Sequence, residues 1–197
     1  MTGVEGLLEF LRAAERLKTT YRSGFTSDGM RESVAEHTWR VCLMAMVLGP
    51  EFPGVDVARL IRMCVIHDLG EAIGGDVPAP EQARRLASDP SAAKGPDERR
   101  DLVSLLGALP DPARTEVLSL WDEYEAAATP EARLAKALDK LETILQHTQG
   151  DNPPGFDYRF NLGYGRQYTA DHPVIAGLRE ILDRETERRA GMAGRSA

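Results

Sequence analysis

Residues 56–69 read DVARLIRMCVIHDL. The stretch is apolar apart from Arg59 and Arg62 until it reaches the pair His67-Asp68, and it spells a mostly apolar helix. Residues 34–48 behave similarly. Val34, Val41, Met44, Ala45 and Leu48 recur at three- and four-residue spacing, and Ser33 with Glu36 forms a capping-box signature at the start. Upstream, Val4, Leu7, Leu8, Leu11 and Leu17 set a helical period over residues 4–18. Downstream, Asp111-Pro112 opens a helix carrying Val117, Trp121, Tyr124 and Ala128. Thr129-Pro130 opens another with Leu134, Leu138, Leu141 and Leu145 on one face, proline in the first turn after a capping side chain being a favoured start. A last helix begins near Pro173 and runs through Ile175, Leu178 and Leu182. No stretch alternates with period two as a strand would, so the expected class is all-α. Residues 74–96, rich in Gly, Pro, Ala and Ser, read as a mobile loop. Residues 149–172 read as an irregular element dense in aromatics: Phe156, Tyr158, Phe160, Tyr164 and Tyr168.

The 197 residues suit one domain. A net charge of −7 argues against a duplex nucleic-acid partner, which needs a basic surface to neutralise phosphates. No apolar run approaches the ~18 residues of a membrane span, and the N-terminal residues carry charges too often for a signal peptide. Cys42 and Cys64 each sit in an apolar helical run and read as buried free thiols, which suits a reducing, cytoplasmic setting.

Histidine is scarce, four in the whole chain. His37 shares the inward stripe of Val34, Val41, Met44 and Leu48. His67 follows an apolar run and is followed at once by Asp68. A carboxylate beside a core histidine is costly unless something pairs with it. An arginine partner for Asp68, with the histidines as satisfied core residues, explains any one of them alone. For the set on neighbouring helices a divalent cation is favoured, and imidazole with carboxylate suits Mn, Co, Mg, Fe or Zn. Glu71 lies four residues after His67 and three after Asp68, on the same helix face. Asp76 follows Gly74-Gly75, a turn able to fold it back over the site. Acids near a metal are candidates to position or deprotonate a water. Asp139 shares a stripe with Ala135, Glu142 and Gln146, about 150° from the leucine face, so periodicity alone turns it to solvent.

With those residues in view, His37, His67-Asp68 and Asp139 resemble the H…HD…D signature of HD-domain metal-dependent phosphohydrolases. The flanking text is similar to the YfbR-type 5′-deoxynucleotidase group and its eukaryotic HD-domain-containing relatives. It comprises ESVAEHTWRV (32–41), HDLGEAIGGDVPAP (67–80) and TPEARLAKALDKLE (129–142) running on into LDKLETILQ (138–146), and the resemblance spans roughly residues 5–147. It implies a single helical HD domain over 1–197, with its core at about 4–148 and a distinct C-terminal loop and helix at 149–190. It further implies one divalent metal held by His37, His67, Asp68 and Asp139, commonly in a homodimer, and hydrolysis of a nucleoside 5′-monophosphate. By the same resemblance Glu71 does general acid/base work, Asp76 positions the nucleophile and Arg22 contacts the phosphate, with Lys18 a weaker second cation.

The chain departs from the group in two places. Some members have Trp after that arginine, where it helps exclude a ribose 2′-hydroxyl; here the residue is Ser23. After Gln146 the text is distinct, and its aromatics with Arg159 and Arg166 suit either stacking of a base or sugar, or a dimer contact. Two rival readings are a phosphatase for a nucleotide-like intermediate of specialised metabolism, and a non-catalytic module that keeps the metal as a clamp. A two-metal site is disfavoured, since no histidine lies between Asp68 and Asp139.

Overall fold

The computed structural model describes residues 3–89 and 94–193. Helix α3 (Val57–Ile66) is the centre of the core: Asp56 caps it by accepting from the Arg59 amide, and Leu60, Met63, Cys64 and Ile66 are buried. It lies against α2 (Val34–Leu48), α7 (Asp111–Ala126) and α8 (Pro130–Gln149). The capping box at the head of α2 is formed in both directions between Ser33 and Glu36. Thr129 caps α8 as its sequence suggests, accepting from the Ala132 amide. Asp111, by contrast, is already the first residue of α7, and Pro110 before it offers no capping side chain. Helix α10 (Pro173–Ala193) packs on α8 through Ile175. Among the described residues no helix is long and apolar enough to cross a membrane.

Two expectations are corrected. A short antiparallel hairpin pairs β1 (Tyr21–Phe25) with β2 (Arg31–Ser33) in an otherwise helical chain. Strands of five and three residues are too short to display an alternation. The turn between them carries its own signal, since Gly29 adopts φ +81° after Asp28, and the Thr26 amide donates to the Met30 carbonyl at 2.7 Å. In the region read as a loop, α4 (Glu71–Gly74) occupies the start, α5 (Ala79–Ser88) the middle, and α6 (Lys94–Leu105) begins near its end. The glycines and prolines sit only at the edges. Pro80 lies in the first turn of α5, where a missing N–H costs nothing, and Glu81, Gln82, Ala83, Arg84, Arg85 and Leu86 are good helix formers.

Helix α1 (Gly3–Ala14) continues into a 3₁₀ turn, Glu15–Lys18. Of its apolar stripe only Leu17 is buried, while Val4, Leu7, Leu8 and Leu11 face outward. Gly6 is what brings α1 close: a Cβ there would stand 2.0 Å from the Ala108 carbonyl oxygen. Cys64 is buried and Cys42 half-buried, both as free thiols.

Candidate metal centre and active site

His37 and His67 reach one point from two helices. His37 is fully buried on α2, and its Nδ1–H is donated to Glu142 of α8, which as a carboxylate can only accept. His67 ends α3, and its Nδ1 lies 2.8 Å from the Cys64 carbonyl, so the imidazole donates there. Both rings are thereby fixed with Nε2 directed at the same place, and neither Nε2 has a hydrogen-bond partner among the described residues. Around His37 Nε2, Asp139 Oδ1 stands at 3.3 Å and Asp68 Oδ2 at 3.8 Å; the latter is 3.1 Å from His67 Nε2. One ligand atom each from His37, His67 and Asp139 lies within 4.8 Å of the others, the reach of a shared cation. Two buried imidazole nitrogens without hydrogen bonds, facing two carboxylates, fit a divalent ion of borderline or hard character.

Asp139 contradicts its helical wheel, being 5% exposed. The reason is that α8 is buried on both sides. Its leucine face enters the core, and its polar face forms an interior seam with α2 and β1. On that seam Glu142 accepts from Arg40 Nε at 2.7 Å and Thr143 Oγ1 accepts from Arg22 at 3.0 Å, while Gln146 bonds both Arg40 and the Phe25 carbonyl. Burial alone would raise the Asp139 carboxyl, but Lys140 at 2.8 Å and the two imidazoles hold it well below the usual range. Burial and Arg22 both oppose a charge on His37; Glu142 and Asp139 outweigh them and push it up to about 10. Glu142 and Asp139 thus favour positive charge at His37.

Arg22 is no exposed loop residue. On β1 its guanidinium is largely buried, with Asp68 at 3.3 Å, Glu32 at 3.4 Å and Asp76 at 4.0 Å. Burial works against its charge, but these carboxylates keep it firmly protonated. Gly75, at φ +76°, turns the chain after α4 and returns Asp76 to the pocket. Glu71, buried at the start of α4, lines the same pocket, and so does Ser23. Lys18 stands apart: its side chain is 71% exposed, it lies 3.8 Å from Glu15, and it does not line the pocket. Lys140 is the second cation that does.

Glu142, Tyr124 and Trp121 escaped the sequence reading. Tyr124 donates to Asp139 Oδ2 at 3.0 Å, and Trp121 donates to the His67 carbonyl at 3.2 Å. The only signal for Glu142 was its place one turn after Asp139; the two aromatics read simply as core.

These features define a helical protein in which two buried histidines and two aspartates, a set able to hold a cation, gather beside an arginine-bearing pocket. The HD domain profile matches residues 14–178, and the chain belongs to the HD-domain family. It is 34% identical over 197 residues to the 5′-deoxynucleotidase HDDC2 of Mus musculus, covering 98% of this chain and 93% of that protein. With the 5′-deoxynucleotidase HDDC2 of Xenopus laevis it shares 37% over 144 residues, 72% and 68% of the two chains. A solved structure described as a predicted metal-dependent phosphohydrolase from Magnetospirillum magnetotacticum MS-1 superimposes with TM-score 0.78 at 28% identity, covering 96% and 98%.

Proposed function

We propose that this chain is a metal-dependent phosphohydrolase that cleaves nucleoside 5′-monophosphates to nucleoside and inorganic phosphate. The observation that carries the reading is the convergence of His37 Nε2, His67 Nε2, Asp68 and Asp139 beside the buried guanidinium of Arg22. Relatives named 5′-deoxynucleotidase at up to 37% identity support the nucleotide as substrate. In this reading the four side chains hold one divalent ion. When bound, such an ion supplies Lewis acidity toward a phosphoryl oxygen and lowers the pKa of a water.

The chain's own residues then divide the work. Arg22 presents forked donors to the phosphoryl oxygens. Glu71 takes a proton from the attacking water and returns one to the leaving 5′-oxygen, and Asp76 orients that water. Water attacks phosphorus, the phosphorus–O5′ bond breaks, and the nucleoside leaves as its alcohol. The free thiols support a cytoplasmic site of action. A second copy of the chain is the partner we assign to the outward face of α2, where Trp39, Leu43, Met46 and Val47 form an exposed apolar stripe. The unit is read as one HD domain whose C-terminal segment completes the pocket.

The test is Glu71→Gln. Phosphate release from deoxynucleoside monophosphates, screened with Mn, Co, Mg and Zn, is expected to collapse by about 10²-fold or more, while the melting temperature and bound metal stay near the parent values. Release from no nucleotide by the parent protein under any of these metals overturns the enzymatic reading in favour of a metal clamp.

A further inference from the structure

The pocket lined by Arg22, Asp68 and Asp139 is small, about 60 Å³, room for a few water-sized groups. A phosphoryl group fits there; a nucleoside does not. The pocket continues outward, however, into a cleft of about 680 Å³ between α5 and the aromatic C-terminal segment, and the two share Ala79, Gln82 and Tyr164 at their junction. One wall of the cleft carries Gln82 and Leu86, the other Phe160, Tyr164 and Tyr168. Among the described residues no Lys or Arg lines it, and Glu125 does, together with three aromatic rings, which suits an uncharged planar group. Gln82 Nε2 is buried at the junction and has no hydrogen-bond partner among the described residues. A buried amide donor without a partner is costly until an acceptor arrives.

The aromatic wall is held rigidly. Arg179, 3% exposed on α10, donates to the carbonyls of Asn161 at 2.7 Å, Leu162 at 2.9 Å and Tyr164 at 2.6 Å. Phe160 and Tyr164 lie with ring centroids 5.3 Å apart, and Lys140 Nζ sits 5.0 Å from the Tyr164 ring. Gly165, at φ +68°, lets the segment press on Lys140, where a Cβ would meet the side chain at 2.5 Å.

We propose that Gln82 and Tyr164 form a nucleobase subsite: the base of the substrate lies against Tyr164, and an acceptor on its edge takes the Gln82 Nε2–H. The inference rests on the nucleotidase reading and deepens it. Every nucleobase has an acceptor nitrogen or carbonyl and a flat face, so this subsite recognises that a base is present more than which base it is.

The experiment compares dAMP with 2-deoxyribose 5-phosphate, which has the same phosphoester and no base, using Mn²⁺-loaded parent protein, Tyr164→Ala, Tyr164→Phe and Gln82→Ala. The ratio of kcat/KM for dAMP over the sugar phosphate is expected to fall about tenfold in Tyr164→Ala and Gln82→Ala, mainly through KM, and to be retained in Tyr164→Phe. Calorimetric binding of deoxyadenosine, which carries no phosphate, should weaken in the same two variants. Both substrates losing the same factor, or neither losing any, with deoxyadenosine binding unmoved, overturns the subsite. A parent protein that cleaves nucleotides while its ratio does not respond defeats the subsite alone; a parent that cleaves no nucleotide defeats the nucleotidase reading and the subsite with it.

Discussion

Arg179→Met isolates the clamp that ties the C-terminal segment to the pocket. Methionine keeps most of the buried volume but none of the donors. The carbonyls of Asn161, Leu162 and Tyr164 lose their guanidinium partner, Thr169 Oγ1 loses a contact at 3.2 Å, and Asp183 loses one at 2.7 Å. Asp183 keeps Arg166 at 2.8 Å, which softens the loss at that carboxylate. Removing one member of a buried charged network costs about 3–5 kcal/mol, and the lower end applies because the segment can open to water. At about 2–4 °C per kcal/mol for a chain of this size, 3 kcal/mol lowers Tm by about 6–12 °C. Circular dichroism melting reads the global effect. Limited trypsin digestion reads the local one, since Arg159 and Arg166 are exposed on the clamped segment and should be cut sooner. A Tm within about 2 °C of the parent, together with an unchanged digestion pattern, refutes the idea that Arg179 organises this wall.

Ser23 lines the pocket with a small side chain that leaves room beside the sugar, so the protein should hydrolyse ribonucleoside and deoxyribonucleoside monophosphates with kcat/KM values within about tenfold of each other. Ser23→Trp should widen that ratio in favour of the deoxy substrate, as read by phosphate release; an unchanged ratio would show that position 23 does not face the sugar. Burial pushes the Cys42 thiol up to about 11 and the Cys64 thiol further still. At pH 8 only about one Cys42 in a thousand is then a thiolate, so native protein should resist iodoacetamide that labels both cysteines once unfolded. Rapid labelling of the native form, read by mass spectrometry, would contradict the packing of α2 on α3.

The sequence by itself determined the helical class and the starts of α2 and α8, because capping side chains and the 3.6-residue period act locally. Ser33 and Thr129 cap where they stand. It also singled out His37, the pair His67-Asp68, Glu71 and Asp76, since scarce polar groups on apolar stripes are conspicuous. Asp139 was legible only through resemblance to a family. Its helix has polar residues on the side a periodic reading gives to water, and only tertiary packing shows that β1 and α2 cover that side with Arg22, Arg40 and His37. The same cause hid Glu142, and Tyr124 read simply as core; both act through partners more than a helix turn away in sequence. The hairpin was too short to set a period, and the glycines and prolines that bracket α5 masked the helix between them. Which cation serves the pocket was likewise a question of space: Lys18 and Lys140 are equally charged, and only the folded chain decides that the first points into solvent and the second toward Asp139.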